Sequence, residues 1–273
     1  MRRRKAHRGE CHICGIEGPL SFEHVPPRAA FNEGRWIEFG GEDALTLGPD
    51  LPGAKGKHHQ GGVGRFALCQ RCNNDTGSWY APHFVTWCYR GIEILLRSEG
   101  RPSLFYLYDM QPLPTIKQIA TMFFAINSPG FREAHPDLVR FVLDRQRSGL
   151  PPKYRFYFYL TVSPRGRYVG VAGRYDMRRG EIHVLSELSF PPFGYVLTFD
   201  SPTPEDELFE ITHFAAYGYD ERVDQWLRPR VLPVDSAFPV DYRTRDQILA
   251  DAEQSVGPGS GPATGSPQRP ETT

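Results

Sequence analysis

The sequence predicts an α+β protein in which a small zinc-stabilised N-terminal module precedes a helical segment and a mainly antiparallel β region. Three observations predict this arrangement. Two Cys-x-x-Cys pairs bracket a segment rich in Gly, Cys, His and Pro. Three stretches with helical periodicity follow, and strand-like runs separated by turn signals come after them. Helices segregated from a run of strands are typical of the α+β class.

The length and composition describe a chain that can bury a sizeable core, but they do not indicate what it binds. Of 273 residues, 40% are hydrophobic, and the formal net charge is zero. That length suits one large domain or two modest ones. The charge is unevenly spread, because residues 1–8 form a basic tail. Such a tail is either a solvated terminus or a source of salt-sensitive phosphate contacts.

Hydropathy and cysteine content indicate the cellular compartment in which the chain is expected. No run of eighteen apolar residues is present, so we expect no membrane span, and no apolar signal core follows the basic start. Five cysteines are an odd number, and four of them fall into two pairs. This usage favours a metal in a reducing, cytoplasmic setting over a disulfide framework.

The two cysteine pairs, Cys11-x-x-Cys14 and Cys69-x-x-Cys72, predict a structural zinc site. A two-residue spacing lets both thiolates of a pair reach one tetrahedral ion. Gly15 suits the tight turn of such a knuckle, because glycine adopts positive φ at little cost. The alternatives are a redox pair or two unrelated pairs of buried thiols. Neither explains why both pairs share one spacing.

The helical stretches follow this module. Residues 39–64 read as a loop, broken by several Gly and Pro pairs. A first helix is predicted to start at Pro82, with Cys88 on its apolar face, where core packing explains the thiol. Two further helices are predicted over residues 115–127 and 136–147.

The β region begins with an aromatic run, which favours a buried strand over a base-stacking surface. The turn after it predicts residues 167–172 as its hairpin partner. The other predicted strands cover residues 154–162, 182–188, 195–199 and 208–214, and a last helix covers residues 243–253. The predicted organisation is a basic tail (1–8), a zinc module (9–81), an accessory domain of unknown role (82–254) and a disordered tail (255–273).

Between and after the knuckles lie the sequences Glu23-His24-Val-Pro-Pro and Cys72-Asn73. Together with the two knuckles they resemble the HNH endonuclease family over about residues 11–80. That resemblance implies a ββα-metal fold in which Glu23 and Asn73 bind a catalytic divalent ion and His24 is the general base. Carboxylate and amide oxygens suit Mg²⁺ or Mn²⁺. A histidine with an ordinary pKa of about 6.5 accepts a proton from water at neutral pH.

This assignment makes a geometric demand. Adjacent residues of a regular strand point to opposite faces. Glu23 and His24 therefore reach one phosphate only if the strand bulges or ends there, and Pro26 and Pro27 favour an ending. If the strand is regular through both residues, Glu23 is better interpreted as supporting the site from behind.

The pattern departs from the family in one respect, since many members carry an asparagine just before the second knuckle. His58, His59, Gln60 or a backbone carbonyl is expected to orient His24 in its place. The basic residues of the insertion, Lys55, Lys57 and Arg65, are candidates for phosphate contacts, with a solvated loop as the alternative. Asn74 and Asp75 read as helix-start residues, with Asp75 as a further candidate ligand.

The sequence thus predicts a metal-dependent HNH-type endonuclease that hydrolyses phosphodiester bonds, with DNA favoured over RNA as its nucleic-acid partner. Its cofactors are a structural Zn²⁺ and a catalytic Mg²⁺ or Mn²⁺. The alternatives are a non-catalytic zinc-binding module that binds nucleic acid or protein, and a purely structural zinc clamp. The Glu23, His24 and Asn73 set separates them, because a binding module does not need it.

Overall fold

A computed structural model describes residues 7–40, 56–101, 105–177 and 179–255. Within these ranges the chain is a mixed α and β protein with five α-helices and several antiparallel sheets. No helix among them is both long and apolar enough to cross a membrane. Most of the basic tail, all of residues 41–55 and the tail from residue 256 lie outside the described residues, as does the prediction of disorder for that last tail.

The N-terminal part is two strands followed by a helix, with a short strand added at one edge. Strand β2 (Glu17–His24) lies between β1 (Arg8–Glu10) and β5 (Gly64–Cys69), and both pairings are antiparallel. Helix α1 (Gln70–Arg97) follows β5 directly. Strands β3 (Trp36–Glu38) and β4 (Lys57–His59) pair in the insertion, so the prediction of a loop over residues 39–64 is wrong at its end.

Helix α1 begins twelve residues before the predicted start at Pro82, which lies in its interior. Proline there removes a single N–H donor, and the 28-residue helix tolerates that loss. Asn74 and Asp75 are therefore in the second turn rather than at the helix start, and Asp75 pairs with Arg71 at 3.7 Å. Cys88 is buried in the core, as predicted.

The helical segment after α1 is almost wholly buried. Helix α2 has 14 of its 15 residues inside, which confirms the predicted helix and extends it to Pro112. The helix predicted over residues 136–147 ends earlier, at Leu143, where the chain becomes extended at Asp144. The remaining helices, in order, are α2 (Pro112–Ile126), α3 (Gly130–Ala134), α4 (Pro136–Leu143) and α5 (Arg245–Ser255).

A five-stranded antiparallel sheet forms the β region, in the order β11-β7-β10-β9-β8. The predicted hairpin of β7 with residues 167–172 is wrong, because β8 pairs with β9 and β10 lies beside β7. Burial explains this order: β7, β9 and β10 are mostly buried and take inner positions, whereas the residues of β8 alternate between more and less exposed and the strand forms an edge.

Strand β11 is short, and a 3₁₀ helix (Thr212–Ala216) replaces the rest of the strand predicted over 208–214. The strands of this region are β6 (Tyr106–Met110), β7 (Tyr154–Leu160), β8 (Arg167–Asp176), β9 (Glu181–Phe190), β10 (Phe193–Phe199), β11 (Phe209–Glu210) and β12 (Val223–Leu227).

One hydrophobic core joins the N-terminal module to the large sheet. It includes Cys11 and Leu68 from the N-terminal strands, Trp87 from α1, and Phe158 and Phe193 from the large sheet. Trp87 stacks on Phe193 with ring centroids 4.9 Å apart. Helix α1 runs across residue 81, the position at which the sequence predicts a domain boundary. The small sheet is therefore held against the large one by shared apolar packing.

Candidate functional site

The four knuckle cysteines meet at one point. The sulfur atoms of Cys11, Cys14, Cys69 and Cys72 all lie within 4.8 Å of one another, and those of Cys14 and Cys69 are 3.8 Å apart. Ligands bound at 2.3 Å to a tetrahedral ion are about 3.8 Å apart. The cluster therefore has the size and the donor chemistry of a structural zinc site, as the sequence predicts.

Each knuckle is built by its local backbone. The first is the turn between β1 and β2, where Gly15 has φ of 76° and its N–H donates to the carbonyl of Cys11 at 2.9 Å. The positive φ favours glycine here, and the guanidinium end of Arg132 would have to move to admit a β-carbon on Gly15. The second is the junction of β5 with α1, where Cys69 caps the helix and its sulfur accepts from the N–H of Cys72 at 3.5 Å.

The thiols of Cys11 and Cys72 affect each other's ionisation. A hydrogen bond from Cys72 lowers the pKa of Cys11 to about 4, and the same contact raises the pKa of Cys72 above its usual range. Of the two thiols, Cys11 is therefore the one that loses its proton more readily. Zinc would displace the remaining protons, since only thiolates are good ligands.

Asn73 lies on the first turn of α1, next to Cys72, and its side chain reaches back to strand β2. Its Nδ2 donates to the hydroxyl of Ser21 at 3.0 Å and to the carbonyl of Phe22 at 3.3 Å. Both donors of the amide thus point at the strand, and Oδ1 is left as the free acceptor. Ser21 and Glu23 are two residues apart on β2, so their side chains share one face. Asn73 and Glu23 therefore lie on the same side of the strand.

Glu23 is a buried carboxyl group, with 7% of its surface exposed. Desolvation raises its pKa to about 8, and no hydrogen bond or charge of the described chain offsets that rise. Burying an unpaired carboxylate is costly unless a cation or donors compensate it. At neutral pH burial therefore favours the protonated acid, unless a cation or hydrogen-bond donors stabilise the carboxylate.

His24 occupies the last position of β2 on the opposite face. Its Nε2 donates to the carbonyl of Gly61 at 3.0 Å, and its ring meets the edge of Phe22 at 4.9 Å between centroids. A backbone carbonyl thus orients the imidazole, which is one of the alternatives open from the sequence. In a neutral ring this contact places the proton on Nε2 and leaves Nδ1 as the acceptor.

Strand β2 is regular through Glu23 and His24 and ends after His24, without a bulge at these residues. Glu23 pairs with Arg65 and His24 with Gly64 in regular register, and β2 ends at His24. The only register shift of this pair within the described residues lies earlier, between Ser21 and Phe22. Glu23 and His24 therefore point to opposite faces, which is the geometry in which Glu23 is expected to support the site from behind. A group that contacts both must approach from the end of the strand.

A residue that the sequence analysis missed holds this end in place. Asn32 is fully buried, and its Nδ2 donates to the carbonyls of Pro26 and Val63 at 2.7 and 2.8 Å. Its Oδ1 accepts from the N–H of Val63 at 2.8 Å. The amide ties the segment after His24 to the segment before Gly64. The expected position for an orienting asparagine is just before the second knuckle. Asn32 lies on the other side of the insertion, and only the folded chain brings it to this end of the sheet.

The basic residues of the insertion are only partly available for phosphate. The guanidinium of Arg65 forms an ion pair with Glu38 and lies 5.6 Å from the ring centre of Tyr168. His59 also contacts Glu38, with 2.9 Å between Nε2 and Oε2. Lys57 is exposed on β4, and Lys55 lies outside the described residues. Phosphate binding by Arg65 would have to compete with Glu38.

The large sheet contacts the end of β2 directly. Tyr168 on β8 is mostly buried, and its hydroxyl donates to the carbonyl of Val25 at 2.6 Å. Burial raises the pKa of Tyr168 above its usual range, so the hydroxyl stays a donor at all working pH values. The accessory region thus fixes the residue that follows His24.

No family model matches this chain, and neither the curated proteins nor the solved structures contain a significant match to it.

Proposed function

We propose that this chain is a metal-dependent endonuclease of the HNH type that hydrolyses phosphodiester bonds, with DNA as the preferred substrate. One observation carries the proposal: Glu23 and Asn73 lie on one face of β2, and His24 ends that strand on the other. The knuckle cysteines anchor both elements, because Cys72 precedes Asn73 and Cys14 lies just before β2. A binding module has no need of this acid, amide and imidazole set.

His24 is the general base in this proposal. The Gly61 carbonyl holds its Nε2–H, so Nδ1 is free to remove a proton from the attacking water. A positioned base of this kind contributes about 100-fold to 10,000-fold to a hydrolysis rate. Phosphate must reach it at the end of β2, where Asn32 and Tyr168 fix the departing backbone.

Glu23 and Asn73 would hold the catalytic divalent ion. The carboxylate of Glu23 has no compensating partner in the described chain, and Oδ1 of Asn73 is left free by the two bonds of its Nδ2. Two hard oxygen donors suit Mg²⁺ or Mn²⁺, which usually keep several waters besides. Such an ion supplies Lewis-acid stabilisation to the phosphate and the leaving oxygen. The four thiols would hold zinc in a separate, structural role.

The resemblance to the HNH family over residues 11–80 supports the same assignment, as does the order of two antiparallel strands and a helix. The preference for DNA rests on that resemblance alone.

The test is cleavage of supercoiled plasmid, single-stranded DNA and RNA with Mg²⁺ or Mn²⁺, comparing the wild-type protein with His24→Ala. We expect nicking that falls about 100-fold or more in His24→Ala. His58→Ala is the matched control, because this exposed histidine lies in the same part of the chain and should leave the rate unchanged. Equal cleavage by His24→Ala would remove His24 from its role. No cleavage of any substrate would favour a non-catalytic zinc-binding module.

A further inference from the structure

The exposed face of the small sheet carries a continuous line of rings, which we name the aromatic stripe: His7, Phe66, Phe22 and His24. His7 stacks on Phe66 with centroids 3.7 Å apart and planes 17° apart. Phe66 meets Phe22 at 5.3 Å, and Phe22 meets His24 at 4.9 Å. The stripe therefore ends on the side chain that we assign as the general base.

Phe66 keeps 41% of its surface exposed within the stripe. Its neighbours on β5, Ala67 and Leu68, are fully buried. The helix-facing side of β2 is already occupied by the contacts of Asn73, so the stripe faces away from them. A cluster of neighbouring rings on the surface, unlike a single exposed ring, is a candidate contact for a ligand.

Arg8 places one positive charge at the edge of the small sheet, close to the stripe. Strand β1 is antiparallel to β2, so the backbone enters it at His7 from the end of the sheet at which His24 lies. Arg8 is exposed and follows His7 directly in the chain. Aromatic rings with adjacent cations are the combination that binds bases by stacking and the backbone by charge.

We propose that the aromatic stripe stacks unpaired nucleobases, so that single-stranded or locally unpaired nucleic acid is the substrate class delivered to His24. This inference rests on the proposed nuclease function. In a duplex both faces of each base are covered by the neighbouring bases, so no face of a base is available to stack on Phe66. An unpaired base exposes that face, and stacking it on an aromatic side chain stabilises binding whatever the base.

The test is fluorescence anisotropy of a labelled oligonucleotide and of a hairpin duplex of the same composition, with wild-type protein and no added Mg²⁺ or Mn²⁺. We expect the single strand to bind about tenfold or more tightly than the duplex. Phe66→Ala should weaken single-strand binding about 5-fold to 150-fold, the range that one lost base stack represents. Phe66→Trp should retain it, which also shows that the position tolerates replacement.

Phe105→Ala is the matched control, because Phe105 is 63% exposed and stacks on Trp226 at 4.8 Å, away from the small sheet. It should change affinity less than about twofold. Zinc content and circular dichroism check that Phe66→Ala is folded.

Equal affinity for duplex and single strand, no binding of either, or no loss in folded Phe66→Ala would overturn the inference. Because binding is measured without cleavage, stripe-dependent binding with no cleavage removes only the nuclease proposal. His24-dependent cleavage with no effect of Phe66 removes only the stripe.

Discussion

Asn32 and Val63 exchange two hydrogen bonds, each 2.8 Å long, across an insertion that separates them by thirty-one residues. The same Asn32 amide donates to the carbonyl of Pro26. This one side chain thus closes the loop and fixes both strands at the end where His24 lies. Its three hydrogen bonds to backbone groups hold the two ends of the insertion together.

We expect Asn32→Ala to lower the free energy of unfolding by about 1–3 kcal/mol, because it leaves buried backbone groups unpaired. The cleavage rate of the folded protein should also fall, since the carbonyl of Gly61 would no longer hold His24 in one orientation. Urea unfolding and the cleavage rate measure the two effects. Asn74→Ala is the control, because Asn74 is exposed on α1. An Asn32→Ala protein with full activity would contradict the positioning role.

The four-cysteine cluster predicts one zinc ion per chain. Cys72→Ser should lose that zinc and unfold at least about 10 °C lower, because the ion joins the turn before β2 to the start of α1. Elemental analysis and thermal unfolding measure both. Cys88→Ser is the matched control, since Cys88 is also buried but lies outside the cluster, so its zinc content should stay unchanged. Full zinc content in Cys72→Ser would refute the site.

Glu23 makes stability depend on pH in a known direction. Burial raises its pKa from 4.5 to about 8, so the folded state keeps a proton that the unfolded state has lost. Stability from this group is fully present below the unfolded pKa and is lost as the pH rises through the folded value. Glu23→Gln does not titrate, so its stability relative to wild type should improve by about 2–3 kcal/mol between about pH 6 and about pH 9.

Chemical denaturation at the two pH values measures this difference, and Glu17→Gln, at an exposed position of the same strand, is the control. Mg²⁺ or Mn²⁺ should stabilise wild type but not Glu23→Gln at the higher pH, since the ion binds the ionised carboxylate. A difference that does not change with pH would show that Glu23 ionises freely.

Tyr168→Phe removes only the hydroxyl that donates to the carbonyl of Val25. We expect a loss of about 1 kcal/mol in stability and a lower turnover number with little change in KM, because the backbone after His24 is less well fixed. Tyr175→Phe is a control on the same strand, where the tyrosine is 61% exposed. Wild-type turnover in Tyr168→Phe would show that the large sheet does not help to position the site.

The sequence predicts the parts of the site that depend on local spacing. The knuckles, Gly15 and the end of β2 before two prolines follow from residues close together in the chain, and the structure places them as predicted. Asn32 is different, because its partners are created by a loop closure that no local pattern encodes. Arg65 reads as a free cation in the sequence, and only the fold brings Glu38 to it.

The same reasoning explains the errors in the fold. Pro82 has a strong preference for a helix start, but capping by Cys69 begins α1 earlier and packing of Tyr80 and Trp87 carries it through the proline. Strand pairing in the large sheet depends on which strands are buried on both sides. Turn residues after β7 indicate that the chain reverses, but not which strand it then joins.

Anomalous diffraction from crystals grown with Mn²⁺ would locate both proposed ions without reference to activity. We expect zinc at the four sulfurs and a separate manganese ion about 2.1–2.3 Å from both a Glu23 carboxylate oxygen and Oδ1 of Asn73. His24 should lie beside it at the end of β2 without binding it. Manganese absent from this position at saturating concentration, with the four sulfurs still binding zinc, would contradict the proposed catalytic metal site.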